Sequence, residues 1–285
     1  MIKIENVVLP SPEQWEATIR GMRNPKNSWD RMDSEPGCEK VTGSHELCRE
    51  CDDRVWIQGK PICGNGYVDY VLGYNDHKLM DNLNAGGPVH AKYRRMIPVY
   101  LDITAPLYWW KEMDTYKIGV TANSCSTMHK IHAKEFTLDD FSHEHLIVAP
   151  KLPLVDELKD HLDIEEKYTL ENHLLSTGEH DLLEVEFGDT IEYHGPFDIL
   201  EQYIISALNL YRDLYLKTKD KKYWWQMIQL LPSSYNQKRT VMLNYEVLVG
   251  IYRWRKDHKL DEWREFCEWI ESLPYSELIT GKDAE

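Results

Sequence analysis

At 285 residues the chain is long enough to bury a large core, and its 42% apolar content is that of a folded protein, not a disordered one. Forty-eight acids against 33 bases give a net charge of −15, which argues against a non-specific grip on nucleic acid or on an anionic membrane. No run reaches the ~18 consecutive apolar residues of a membrane helix. Met1-Ile2-Lys3-Ile4-Glu5 has no basic region followed by an apolar stretch, so a cytoplasmic protein is expected.

Residues 2–8 alternate as a first strand. Ser11-Pro12-Glu13 starts a helix, with Ser11 as cap and Pro12 in the first position, running to about Met22 before Asn24-Pro25. Residues 31–68, rich in Gly, Asp, Cys and Pro, read as an irregular insertion. Leu79, Met80 and Leu83 give a helix over Asp76–Ala85, stopped by Gly86-Gly87-Pro88. Ile97, Val99, Leu101 and Ile103 lie on one face of a strand over Met96–Ile103. Ala105–Lys117 reads as a helix with an aromatic face, and residues 120–135 as loop or strand. Residues 151–195 are acidic, with helical stretches and a strand over Leu182–Phe187. A stripe from Ile199 to Leu214 marks a helix from Phe197 to about Lys217. Trp224–Leu231, Lys238–His258 and Leu260–Leu273 also read as helices. Short strands among long helices predict an α/β or α+β fold.

Cys38, Cys48, Cys51 and Cys63 fall within 26 residues, whereas Cys125 and Cys267 stand alone. Without a secretory signal a disulfide framework is not expected. The four clustered cysteines are candidate zinc ligands, but Cys48-x2-Cys51 is one close pair and the outer two are single, so zinc is not expected and free thiols are. His129-x2-His132 and His143-x-His145 have metal-like spacing without an acidic or cysteine partner, and read as surface or capping residues. Trp109-Trp110, Trp224-Trp225, Trp254 and Trp263 serve either as core and interface or as stacking platforms.

Two segments far apart carry a family resemblance. Thr104-Ala105-Pro106-Leu107-Tyr108 enters a helix that continues through Lys111-Glu112 to Thr115-Tyr116-Lys117, followed by Asn123-Ser124-Cys125-Ser126-Thr127. Leu231-Pro232 is followed twelve residues after the proline by Asn244, eleven later by Arg255, and then by Glu262-Trp263. Ile19–Arg23, Leu79 through Gly86 to His90, and Tyr203–Leu216 with Trp224–Leu231 stand in the same order as the remaining family segments. Together these resemble the flavin-dependent thymidylate synthases, which transfer a methylene from a folate to deoxyuridylate and reduce it with FAD. Residues 31–68 and about 150–195 lie outside the likeness.

The resemblance implies one domain over residues 1–285 with the α/β (α+β) fold of the thymidylate-synthase-complementing proteins, long C-terminal helices and the cysteine-bearing insertion. It implies a homotetramer, FAD as cofactor and a pyrimidine nucleotide as ligand, with no direct nucleic-acid or membrane partner. Arg255, Lys111, Glu112, Lys117 and Lys238 fall to the nucleotide, His90 and Asn244 to the cofactor, and Cys125 to the place of a family serine as a candidate nucleophile. The family's Arg-His-Arg is here Thr115-Tyr116-Lys117, its Arg-Gln is Lys111-Glu112, and Thr127 replaces the arginine of Ser-x-Arg. Lysine keeps the charge but loses the bidentate fork, and glutamate only accepts where glutamine also donates. Three readings stand: a divergent flavin- and nucleotide-dependent enzyme, a non-catalytic descendant that binds a nucleotide or a protein, and a structural interaction protein using the acidic surface and the cysteine-bearing insertion.

Overall fold

A computed structural model describes residues 2–36, 70–148 and 195–281, together with the backbone of the strands Arg54–Ile57, Lys60–Cys63, Leu183–Phe187 and Thr190–His194. The chain divides into two compact units, Met1–Cys125 with Gln237–Glu285, and Ser126–Asn236.

The first unit is built on a four-stranded sheet in the order β1-β4-β8-β5. β1 is Lys3–Val8, β4 is Pro98–Pro106, β5 is Thr121–Ser124 and β8 is Asn236–Asn244. β1 runs antiparallel to β4, with Lys3 opposite Thr104, and β5 runs antiparallel to β8, with Thr121 opposite Met242. β2 (Arg54–Ile57) and β3 (Lys60–Cys63) form a hairpin inside the segment expected to be irregular. In β4 the alternation holds as expected: Val99, Leu101, Ile103 and Ala105 are buried. They pack on Trp15 and Ile19 of α1 (Pro12–Arg23), whose Ser11 side chain accepts from the Gln14 amide in a capping box.

α2 (Tyr74–Ala85) has no cap of its own, because Gly73 precedes it. Asp33 supplies one, accepting from the amides of Asn75 at 2.8 Å and Asp76 at 3.0 Å. Asp76 answers by accepting from the amides of Asp33 and Ser34, both at 3.0 Å, and from Arg23 Nε at 2.5 Å. A Cβ at Gly73 would lie 2.2 Å from the Asp33 carbonyl, so only glycine fits this crossing. Burial raises the Asp76 pKa, but hydrogen bonds from Ser34, the Asp33 backbone and Arg23 outweigh it and hold the carboxyl below its ordinary value.

Two expected helices are corrected. The aromatic helix α3 is only Leu107–Met113, since Ala105 and Pro106 finish β4 and the Thr115 hydroxyl donates to the Glu112 carbonyl at 2.7 Å, closing a turn. The segment read as a helix from Lys238 to His258 is strand β8 followed by helix α6 (Tyr245–Arg255). Gln237, Val241 and Leu243 are buried at strand spacing, and Tyr245, Leu248, Ile251 and Tyr252 at helical spacing. Asn244 divides them, accepting from the Val247 amide at 3.1 Å as the helix cap. α7 (Asp261–Glu271) buries Trp263, Phe266, Cys267 and Ile270, and α8 (Glu277–Thr280) buries Leu278 and Ile279.

In the second unit, β6 (Leu183–Phe187) and β7 (Thr190–His194) form a hairpin. A π-helical stretch over Ile199–Ile205 leads into α4 (Ser206–Thr218), and α5 (Lys221–Leu230) follows after a tight turn. The core joins Leu200, Ile205, Leu208 and Met227 to Ile131, Phe136 and Phe141. The Asn209 amide closes both polar groups of Phe136, at 2.8 and 2.9 Å.

Candidate functional site

The end of α3 and the junction of α6 with α7 meet in the first unit. There Glu112 Oε2 accepts from the Trp263 indole at 2.9 Å, pairs with Arg255 Nη1 at 2.8 Å and faces His258 Nε2 at 3.5 Å. Arg255 Nε donates to the Tyr116 hydroxyl at 3.0 Å, and its guanidinium lies 4.9 Å from the centre of the Trp263 ring. The Leu260 amide donates to His258 Nδ1 at 3.1 Å, so the neutral ring carries its proton on Nε2, toward Glu112. Below, Trp109 packs on Trp263 at 4.7 Å and on Trp110 at 4.9 Å. Tyr108 donates to Glu262, joining the same two segments again.

The loop after α3 folds back along α6. Tyr116 reaches Arg255 at the end of the helix, while a Cβ on Gly119 would lie 3.0 Å from Val247 and 3.1 Å from the Asn244 amide nitrogen. Gly119 has φ +83°, a conformation that side chains disfavour. Between these anchors Ile118 is 93% exposed. Val247, Gly250 and Trp254 share a face of α6. No described residue lies within 4 Å of a Cβ at Gly250, and Trp254 is 70% exposed. An open apolar strip therefore borders the Arg255 cluster.

The expected site residues are not gathered at one place. Arg255 and Glu112 are in contact, and Asn244 sits at the start of the same helix with its side-chain oxygen spent on the cap. Lys111 and Lys117 flank the cluster in sequence and are exposed. Lys238, on β8, is engaged by Asp102 at 3.1 Å and Glu5 at 3.5 Å on the sheet. Hydrogen bonds from Thr240, Asn6 and Lys238 pull the Asp102 pKa down to about 2, and Asp102 in turn raises that of Lys238. His90 is exposed in the turn after α2, against the α-carbon of Gly86. Cys125 is an exposed free thiol at the end of β5, its amide donating to the Lys238 carbonyl at 2.9 Å. Cys38, Cys48 and Cys51 lie outside the described residues, and of Cys63 only the backbone is described. Among the described residues no cluster of three or more His, Cys, Asp or Glu is placed to hold a metal.

Sequence reasoning did not single out Tyr116 and His258. Tyr116 is the middle residue of the Thr115-Tyr116-Lys117 run, and His258 lies three residues beyond Arg255, where the helix turns toward Trp263. Arg239 is the fifth cation of the anion pocket that the sequence offers with Arg255, Lys111, Lys117 and Lys238. Arg239 lies 4.1 Å over the Trp110 ring, pairs with Asp114 at 2.7 Å and donates to Gln237 Oε1 at 2.9 Å.

No protein-family model and no curated protein sequence matches the chain. Solved structures do. Thymidylate Synthase X from Helicobacter pylori with FAD and dUMP is similar at a TM-score of 0.50 and 13% identity, over 99% of this chain and 98% of that one. A second structure of the flavin-dependent thymidylate synthase of Helicobacter pylori, also with FAD and dUMP, gives 0.50 and 14% over the same shares. The fold is that of thymidylate synthase X. Within that fold, Glu112 and Arg255 stand 143 positions apart in sequence and meet at 2.8 Å.

Proposed function

We propose that this chain is a divergent flavin- and nucleotide-binding enzyme on the thymidylate synthase X fold, a cytoplasmic homotetramer acting on a pyrimidine nucleotide. The observation that carries the reading is the meeting of Glu112, Tyr116, Arg255 and Trp263 beside the open strip of Ile118, Val247 and Gly250, on a fold shared along its length with an enzyme solved with FAD and dUMP.

In this reading the strip takes a planar ring. Its floor has no side chain at Gly250, its rim is apolar at Ile118, and no described residue accepts from the Asn244 amide nitrogen, which leaves that donor for a ring carbonyl. A bound flavin supplies the redox chemistry, and the residues of this chain orient the ligand and set the local charge. Arg255 is the cation for a phosphate, assisted by Lys111 and Lys117, which flank Glu112 and Tyr116 in sequence. It already holds Glu112, so a phosphate must compete with a carboxylate for the guanidinium. With lysines in place of forked arginines the substrate is held less tightly, and misplacement of this kind costs about a hundredfold in rate. Ordinary thymidylate synthase activity is therefore expected to be weak or absent.

That internal pairing favours a second reading, a non-catalytic descendant that keeps the fold and binds a nucleotide or protein. Calorimetry with the common pyrimidine nucleotides decides between nucleotide binding and none. Arg255→Ala should weaken binding by about 2–5 kcal/mol if the guanidinium meets a desolvated phosphate. Unchanged affinity, or no binding by any nucleotide, contradicts the assignment. Robust rescue of a thymidine-requiring host would show that the substituted residues are functional replacements.

A further inference from the structure

The second unit carries a basic surface that the proposed function does not use. Between Tyr211 and Trp225 stand five bases, Arg212, Lys217, Lys219, Lys221 and Lys222, and two acids, Asp213 and Asp220, in a chain of net charge −15. The acids are taken: Asp213 pairs with Arg212 at 2.6 Å, and Asp220 pairs with Lys222 at 3.3 Å while capping α5 through the Lys222 amide. Lys130, Lys217, Lys219 and Lys221 have no carboxylate partner among the described residues.

These cations converge. The His132 ring meets Tyr215 edge-on at 4.9 Å, and Lys219 Nζ lies 5.7 Å from the same tyrosine ring. Burial first, and then the charges of Lys219, Lys130 and Arg212, lower the His132 pKa, so three cations share its surroundings. The Trp224 indole donates to the Met128 carbonyl at 2.9 Å, fastening the loop that carries Lys130 to α5. Lys221 lies 5.9 Å from the Trp224 ring and 5.7 Å from Trp225, and Lys222 lies 4.7 Å from Tyr223. Trp225 is 42% exposed. Lys219 has φ 58°, at a helix end where glycine is preferred.

We propose that this surface binds single-stranded nucleic acid. Lysines without carboxylate partners suit phosphates, and the exposed Trp225 ring set among them offers a face to a base, the combination that single-strand sites use. An acidic peptide has no comparable use for the rings. A membrane needs a continuous apolar face to insert, whereas Met128, Leu216 and Trp225 are separated by charges. The net negative charge of the chain does not forbid a local contact, because salt screens charges beyond about 8 Å.

The test is fluorescence anisotropy of a labelled oligothymidylate of about 15 nucleotides, a length within the range of one single-strand site, titrated with the full chain at low salt. Saturable binding is expected, weakened at least tenfold in Lys219→Glu/Lys221→Glu. The log–log salt slope should become shallower by about 1.4, that is about 0.7 for each phosphate no longer neutralised by a lysine. Trp225→Ala should weaken binding severalfold and leave that slope unchanged. Lys130→Glu, on a separate loop, gives an independent reading should the double variant fail to fold. Absence of saturable binding overturns the proposal, as does unchanged affinity in folded lysine variants. Equal binding to phosphatidylserine vesicles, or equal competition by polyglutamate, also overturns it.

Discussion

Glu112 is the residue on which the candidate site turns, and removing it should be costly in a definable way. Its carboxylate holds Arg255 at 2.8 Å and the indole of Trp263 at 2.9 Å. Side-chain exposure is 36% for Glu112 and 20% for Arg255, so the ion pair lies between the exposed and buried extremes. Exposed pairs contribute about 0–1 kcal/mol, and breaking buried ones costs about 3–5 kcal/mol, which puts this pair near 1–2 kcal/mol. Glu112→Ala also leaves the Trp263 N–H without its acceptor, at a further ~1–2 kcal/mol. The alanine variant should therefore be destabilised by about 2–4 kcal/mol. Glu112→Gln, which retains an acceptor for the indole, should be destabilised by only about 1–2 kcal/mol on the same reasoning. Urea unfolding followed by tryptophan fluorescence measures both, and a double-mutant cycle with Arg255→Ala isolates the pair. A coupling of about 1–2 kcal/mol is expected. Strict additivity of the two alanine substitutions, or equal destabilisation by Ala and Gln, would refute the assignment of Glu112 as the joint partner of Arg255 and Trp263.

Asp76→Asn should destabilise the chain by about 3–5 kcal/mol, because Arg23 is left buried without its counter-charge. The folded Asp76 pKa is depressed, so its contribution is present above the unfolded value of about 3.9 and disappears as pH falls through the lower folded value. Urea midpoints from pH 6 downward should show a decline in the wild type that is smaller in the variant. Asn244→Ala removes the cap of α6 and should cost about 1 kcal/mol, read as a lower urea midpoint. Cys125 is exposed, whereas burial, followed by the charges of Glu271 and Asp257, pushes the Cys267 thiol up to about 12. A thiol reagent at neutral pH should label Cys125 in the native protein and Cys267 only after unfolding, as seen by peptide mass mapping; native labelling of Cys267 would contradict its burial.

Most elements were legible because one period dominated each. The strand over Ile97–Ile103 alternates, the helix after Ser11-Pro12 has its cap, and the helix from Leu260 buries Trp263, Phe266 and Ile270 at helical spacing. The failure at Lys238–His258 has a specific cause. Val241, Leu243, Leu248 and Ile251 are compatible with either period until Asn244 is recognised as a cap, and the side-chain bond to Val247 is what makes it one. Resemblance placed Glu112 and Arg255 in one site, and the fold brings them together. The sign of that pairing was hidden, because a helix-spacing argument treats each charge as facing solvent or ligand and cannot see a carboxylate already pairing with the arginine. The fate of Lys238 was hidden for the same reason: its partners, Glu5 and Asp102, come from strands more than 130 residues away in sequence.

Flavin content tests the central claim most directly. The chain purified without added cofactor, and again after incubation with FAD, is examined for the flavin absorbance band and for flavin released on denaturation, and the FAD-loaded protein is titrated with dUMP. The account predicts near-stoichiometric flavin after loading and a change in the flavin band on adding the nucleotide, reduced by Arg255→Ala. A folded, colourless protein that takes up no FAD would contradict it.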